Sequence, residues 1–85
     1  MDEGEARRRV ESTITQRGES FVLSHLSSTD NGYILKFRQG AVDIVRTRIG
    51  CDVLADEDRL RRLLDEMRRD FYRLTARTRA PRQIN

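Results

Sequence analysis

Leu60, Leu64, Met67, Phe71 and Leu74 recur at 4-3-4-3 spacing with Leu63 alongside, an apolar stripe that cannot be left in water. On a helix such residues fall on one face about 100° wide. The stripe predicts the main helix over 56–79. Asp56 is placed to cap its N-terminus, and Glu57 and Asp58 oppose the helix dipole in the first turn. Pro81 stops it. Two heptads fall short of the three or four that a coiled coil needs. The expected partner of the stripe is therefore a sheet of the same chain.

Three strands supply that sheet: "SFVLSHLSS", "YILKFR" and "AVDIVRTRI". The first pair is joined at "DNG", the second at "QG". Phe21, Leu23 and His25 share a face with Tyr33, Leu35 and Phe37 only if the first loop has an odd number of residues. Asp30-Asn31-Gly32 satisfies that as a type I turn closed by a left-handed glycine, and is preferred to a two-residue Asn31-Gly32 turn. A two-residue Gln39-Gly40 turn puts Val42 and Ile44 beside Phe37 and Leu35, and sets Lys36 opposite Asp43. A shorter helix over 5–17, "EARRRVESTITQR", precedes the strands, with Gly18 as a left-handed cap. Its stripe is Ala6, Val10 and Ile14. Glu3, Glu5 and Glu11 offset Arg7, Arg8 and Arg9 at helical spacing.

The expected fold is thus α+β, ordered α-β-β-β-α: a three-stranded antiparallel sheet with two helices packed on one face. Residues 1–85 form one small domain, with a basic, partly disordered C-terminal tail from about 78. In that register Val22, Leu26, Ile34, Val45 and Ile49 share the far face with Lys36, Arg38 and Asp43. Either a partner covers those five, which makes them a candidate interface, or the register differs. Hydrophobic and charged residues each make up 36% of the chain, so surface outweighs core and self-association would add stability.

Catalytic and metal chemistry lack the residues they require. The chain has one cysteine, Cys51, and one histidine, His25, neither with partners at ligand spacing. Cys51 reads as a small filler at an element end. No cofactor and no small-molecule substrate are indicated, and the chain reads as no enzyme. No apolar run approaches the roughly 20 residues that span a bilayer. The start, "MDEGEARRRV", does not read as a secretory signal, so the expected location is cytoplasmic.

Sixteen arginines against one lysine is a bias that genome composition alone can produce, so position is more telling than number. Residues 1–67 carry a net charge of −2 and residues 68–85 carry +5. Along 56–79, Arg62 lies four residues from Asp58 and Glu66, Arg61 from Asp65, and Arg69 three or four from Glu66 and Asp65. Arg73 lies three from Asp70. Arg77, Arg79 and Arg82 have no acid within four residues. Arg61, Arg68, Tyr72 and Arg79 fall within about 40° on the flank of the stripe. Cations around an aromatic ring suit phosphates and a stacked base.

Two RNA-binding families share this order of elements. Double-stranded RNA-binding domains carry a lysine cluster at the start of the last helix, where this chain reads "DEDRLRR". The strand "AVDIVRTRI" followed by an amphipathic helix is similar to the small Alu-domain subunits of the signal recognition particle. That resemblance implies pairing through sheets and RNA on a basic joint surface, and carries over no single residue. Small phage-encoded inhibitors also take such folds. The expectation is a binding module that contacts nucleic acid, RNA before DNA, through Arg68, Tyr72, Arg77, Arg79 and Arg82, with Lys36 and Arg38 on the sheet. It would self-associate through that sheet. The alternative is a protein-interaction module, a homodimeric adaptor or a phage-type inhibitor of a nucleic-acid-handling complex, that does not itself bind nucleic acid.

Overall fold

Asp2 opens the first element: its carboxylate accepts the Glu5 amide at 2.8 Å, which starts α1 (Glu3–Arg17) two residues before the expected point. Gly18, at φ 64, ends it. The Gly18 amide donates to the Thr15 carbonyl and the Glu19 amide to that of Ile14, the paired bonds of a Schellman cap. The computed structural model describes residues 1–79, with side chains through Ala76. The expected tail, Pro81 and Arg82 included, lies almost entirely outside these residues.

Strands β1 (Val22–Thr29), β2 (Gly32–Gln39) and β3 (Val42–Ile49) form an antiparallel meander in the order β1-β2-β3. The stretch "CDVLA", expected to be a link, is a short helix, α2 (Cys51–Ala55), which buries Leu54. Asp56 then caps α3 (Glu57–Arg79), accepting the amides of Asp58 at 2.9 Å and Arg59 at 3.2 Å. The fold is α+β, with the α-β-β-β-α pattern extended by that one short helix.

Among the described residues, the buried hydrophobics form a single cluster between the helices and one face of the sheet. Ala6, Val10 and Ile14 come from α1, and Leu60, Leu63, Leu64, Met67 and Phe71 from α3. The inner strand residues are Leu23, Leu26, Tyr33, Leu35, Phe37 and Ile44, with Phe21 just before β1. Phe21 stacks on Phe71 with ring centroids 5.3 Å apart and meets Phe37 edge-on at 5.7 Å.

Two β-bulges alter the expected faces. In β1 the register slips between Leu23 and His25, leaving Ser24 as an extra residue whose hydroxyl donates to the Lys36 carbonyl at 3.2 Å. An extra residue reverses side-chain parity from that point on. Leu23 still pairs with Phe37, but Leu26 rather than His25 joins the inner face, opposite Leu35, and His25 turns outward against Lys36. In β3 the slip lies between Arg46 and Ile49, where Arg48 takes φ 58, and it brings Ile49 onto the inner face opposite Tyr33. Leu26 and Ile49 are therefore core-side residues and not part of an outer interface. Of the five expected there, Val22, Ile34 and Val45 remain.

Both turns differ from expectation by one residue. Asp30 and Asn31 alone form the first, with Thr29 opposite Gly32, and the positive φ falls on Gly32 as expected. The second is Gly40-Ala41, with positive φ only at its first residue, as a type II′ turn requires. Arg38, not Lys36, then faces Asp43 directly. Val42 and Ile44 keep the face of Phe37 and Leu35, because the shift preserves parity.

Truncating Phe71 to alanine should cost about 3–5 kcal/mol, a large share of the roughly 5–10 kcal/mol available to a domain this small. Thermal melting of Phe71→Ala should show a chain mostly unfolded or melting far below the parent. Gly32→Ala should cost more than about 1 kcal/mol in denaturant titration, because its φ of 118 excludes a side chain. A Cβ there would also lie 2.5 Å from the Ile49 carbonyl oxygen.

Candidate nucleic-acid interface

The arginines of α3 divide by what they touch. Arg61 binds Glu57 one turn back at 2.7 Å, and Arg73 reaches Asp70 at 3.8 Å. The other local pairings read from spacing do not form: Asp65 is taken by an arginine from elsewhere, while Asp58 and Glu66 make no ion pair among the described residues. Arg17 at the end of α1 binds Asp65, and Arg46 on β3 binds Asp70. Among the described residues Arg62 and Arg69 make no ion pair and no side-chain hydrogen bond. They lie seven residues apart on the face of α3 opposite the apolar stripe.

Arg68 is held in a fork. Its Nε and Nη2 donate to the two oxygens of Glu19 at 2.9 and 2.8 Å, while Arg17 donates to Glu19 from the other side at 2.8 Å. The Glu19 side chain is 2% exposed. Burial alone would push its pKa up, but the hydrogen bonds from Arg68 and Arg17 outweigh it and hold the carboxyl below the usual range. Glu19 thus joins the end of α1 to the middle of α3, and Arg68 keeps one edge of its guanidinium for solvent.

Tyr72 follows Arg68 by four residues and Arg69 by three, so its ring sits between both on the helix surface. It is 75% exposed, the most exposed large hydrophobic among the described residues. Arg68, Arg69 and Tyr72 thus make a cationic patch around an open aromatic face, with Arg62 farther back on the helix beyond Asp65 and Glu66. Arg77 and Arg79 continue the helix, but their side chains lie outside the described residues, as does Arg82 entirely. Sequence spacing brought out Arg68 and Tyr72 and missed Arg62 and Arg69. It credited those two with local acids, of which Asp65 turns instead to an arginine 48 residues away.

Lys36 and Arg38 stand on the other side of the sheet. Arg38 donates to both Asp43 oxygens, at 2.7 and 3.2 Å, and Lys36 lies 3.8 Å from the same carboxylate. The Arg38 hydrogen bond lowers the Asp43 pKa, and the Lys36 charge adds to it. The sheet and core separate these two cations from Arg68 and Tyr72, so the fold does not gather the expected residues into one site. Among the described residues, no group of three or more His, Cys, Asp or Glu is assembled to hold a metal. Nor is any helix among them long and apolar enough to cross a membrane.

Because the folded Glu19 carboxyl titrates lower than the unfolded one, its contribution is present above about pH 4.5 and is lost as pH falls through the folded value. Melting temperature measured from pH 7 to pH 3 should fall for the parent chain. Glu19→Gln should start lower at pH 7 and show a shallower fall.

Comparison with protein-family models, with curated proteins and with solved structures gave no match.

Proposed function

We propose that the chain is a small non-enzymatic module that binds nucleic acid through the C-terminal half of α3 and the segment beyond it, and that it self-associates through its sheet. The observation that carries the proposal is Tyr72, an exposed aromatic ring on a helix surface between Arg68 and Arg69. A water-facing tyrosine has no role in the core, and Arg69, which makes no ion pair among the described residues, keeps its donors for phosphate. Residues 68–85 carry a net charge of +5, which adds to the attraction for phosphates. A ring that stacks on an unpaired base favours single-stranded RNA over duplex DNA, whose bases are already stacked. Lys36 and Arg38, across the sheet and tied to Asp43, are left out of the primary contact surface.

A second reading rests on a different observation. Val22 and Val45 are 57% and 50% exposed on the uncovered sheet face, beside Ile34. They support an interaction module whose partner is a protein, an adaptor or an inhibitor that contacts no nucleic acid.

Titrating single-stranded RNA at several salt concentrations separates the two. Phosphate contacts make affinity fall with salt at a log–log slope of about −0.7 per contact. Neutralising Arg77, Arg79 and Arg82 together should flatten that slope by roughly 2 units and leave melting nearly unchanged. Tyr72→Ala should weaken binding by about 1–3 kcal/mol with little change in slope. Absence of binding at low salt, or a slope untouched by the triple substitution, would hand the surface to a protein partner.

A further inference from the structure

The two edges of the sheet are not equally open. Along β1, the Ser24 bulge interrupts the strand, and the Glu3 carboxylate accepts the Ser28 amide at 2.8 Å and its hydroxyl at 3.0 Å. Both are ways of blocking strand addition. Along β3 the pairing runs without a break from Val42 to Arg46, and the bulge comes only after it, at Arg48. No proline interrupts β3.

Which groups that edge presents follows from the turn. Pairs in an antiparallel ladder alternate between exchanging hydrogen bonds and not doing so. Counting from the two-residue Gly40-Ala41 turn, Val42, Ile44 and Arg46 bond to β2, so the amides and carbonyls of Asp43, Val45 and Thr47 face outward. The Arg46 Nη1 donates to the Val45 carbonyl oxygen at 3.5 Å, which is in keeping with that direction, and this long bond is exchanged for the strand pairing when a second strand arrives.

We propose that this edge is a self-association site, at which β3 pairs antiparallel with β3 of a second copy about a two-fold axis at Val45. The two three-stranded sheets then become one continuous sheet. The proposal deepens the sheet-mediated association put forward above by naming the strand, and does not depend on nucleic-acid binding. The register is self-complementary at each level. Val45 meets Val45 of the second copy and Asp43 meets Thr47, so every outward backbone group from Asp43 to Thr47 finds a partner. Side chains keep their faces: on the outer face the exposed Val45 packs on its own copy, and on the helix side Ile44 faces Arg46. No two like charges stand directly opposite, the arrangement that would penalise such a pair. An arbitrary peptide would have to match this pattern, which a second copy matches by symmetry.

Sedimentation of the full chain across a concentration series should give twice the 10.0 kDa of one chain at the upper end. Val45→Pro removes one outward amide and no β2–β3 bond, a position at which edge strands tolerate proline. It should reduce the mass to that of a single chain, with circular dichroism unchanged. Val22→Lys, on the same outer face but far from this edge, should leave the dimer intact. Hydrogen exchange on the unmodified chain tests the same point independently of any variant's folding. The amides of Asp43, Val45 and Thr47 should become protected together as the dimer forms, and should exchange as unprotected amides in dilute samples. A single-chain mass at every concentration overturns the proposal. So does a dimer in which these three amides stay unprotected, or one that Val22→Lys dissociates and Val45→Pro does not. The last result would leave sheet association standing but make it face-to-face.

Discussion

Phe71 of α3 stacked on Phe21, with Phe37 of β2 edge-on against the same ring, is the contact on which the fold depends. Phe21 sits in the short connection from α1 to β1, so one ring ties the first helix, the sheet and the last helix together. A chain of 85 residues with few aromatics has little other means of joining elements so distant in sequence. The aliphatic residues around that cluster exclude water on either side of it. The α3 stripe also pulls the sheet into a fixed orientation, because only one sheet face can meet it.

One-sided packing explains the bulges. An eight-residue strand in a twisted sheet shows alternate residues to the helices, but the apolar residues of β1 and β3 do not alternate throughout. Leu23 and Leu26 are three apart and Ile44 and Ile49 five apart, and regular pleating would send one of each pair outward. An extra residue at Ser24, and another at Arg48, brings both members inward. The cost is local: a bulge hydroxyl that must find the Lys36 carbonyl, and a left-handed conformation at a non-glycine residue. The gain is two more apolar side chains against a small core.

Charge follows packing. Once α1 and β3 are set on either side of α3, Arg17 and Arg46 reach Asp65 and Asp70, the acids nearest to them in space. With Asp65 drawn to Arg17, Arg69 faces water beside Tyr72, and Arg62, farther back on α3, makes no ion pair among the described residues. The open cationic surface is thus a consequence of how the helices lie, and its aromatic member stands where the core stripe leaves the helix surface bare.

Much of this was legible in the sequence. Hydrophobic periodicity of 3.6 and near 2 carried the elements and their order, and capping chemistry at Gly18 and Asp56 marked helix ends, since these depend on residues a few positions apart. The N-cap at Asp2 and the short helix α2 were missed: five residues hold too little periodicity to separate helix from link. That Arg68 and Tyr72 neighbour each other was legible for the same local reason, as helix geometry alone puts them side by side. The strand faces, the partners of Glu19 and Asp65, and the separation of Lys36 and Arg38 from α3 belong to tertiary structure. A bulge is chosen by whether the core gains from turning a residue inward, and an ion pair by which charge arrives nearest. Neither quantity exists until the elements have packed.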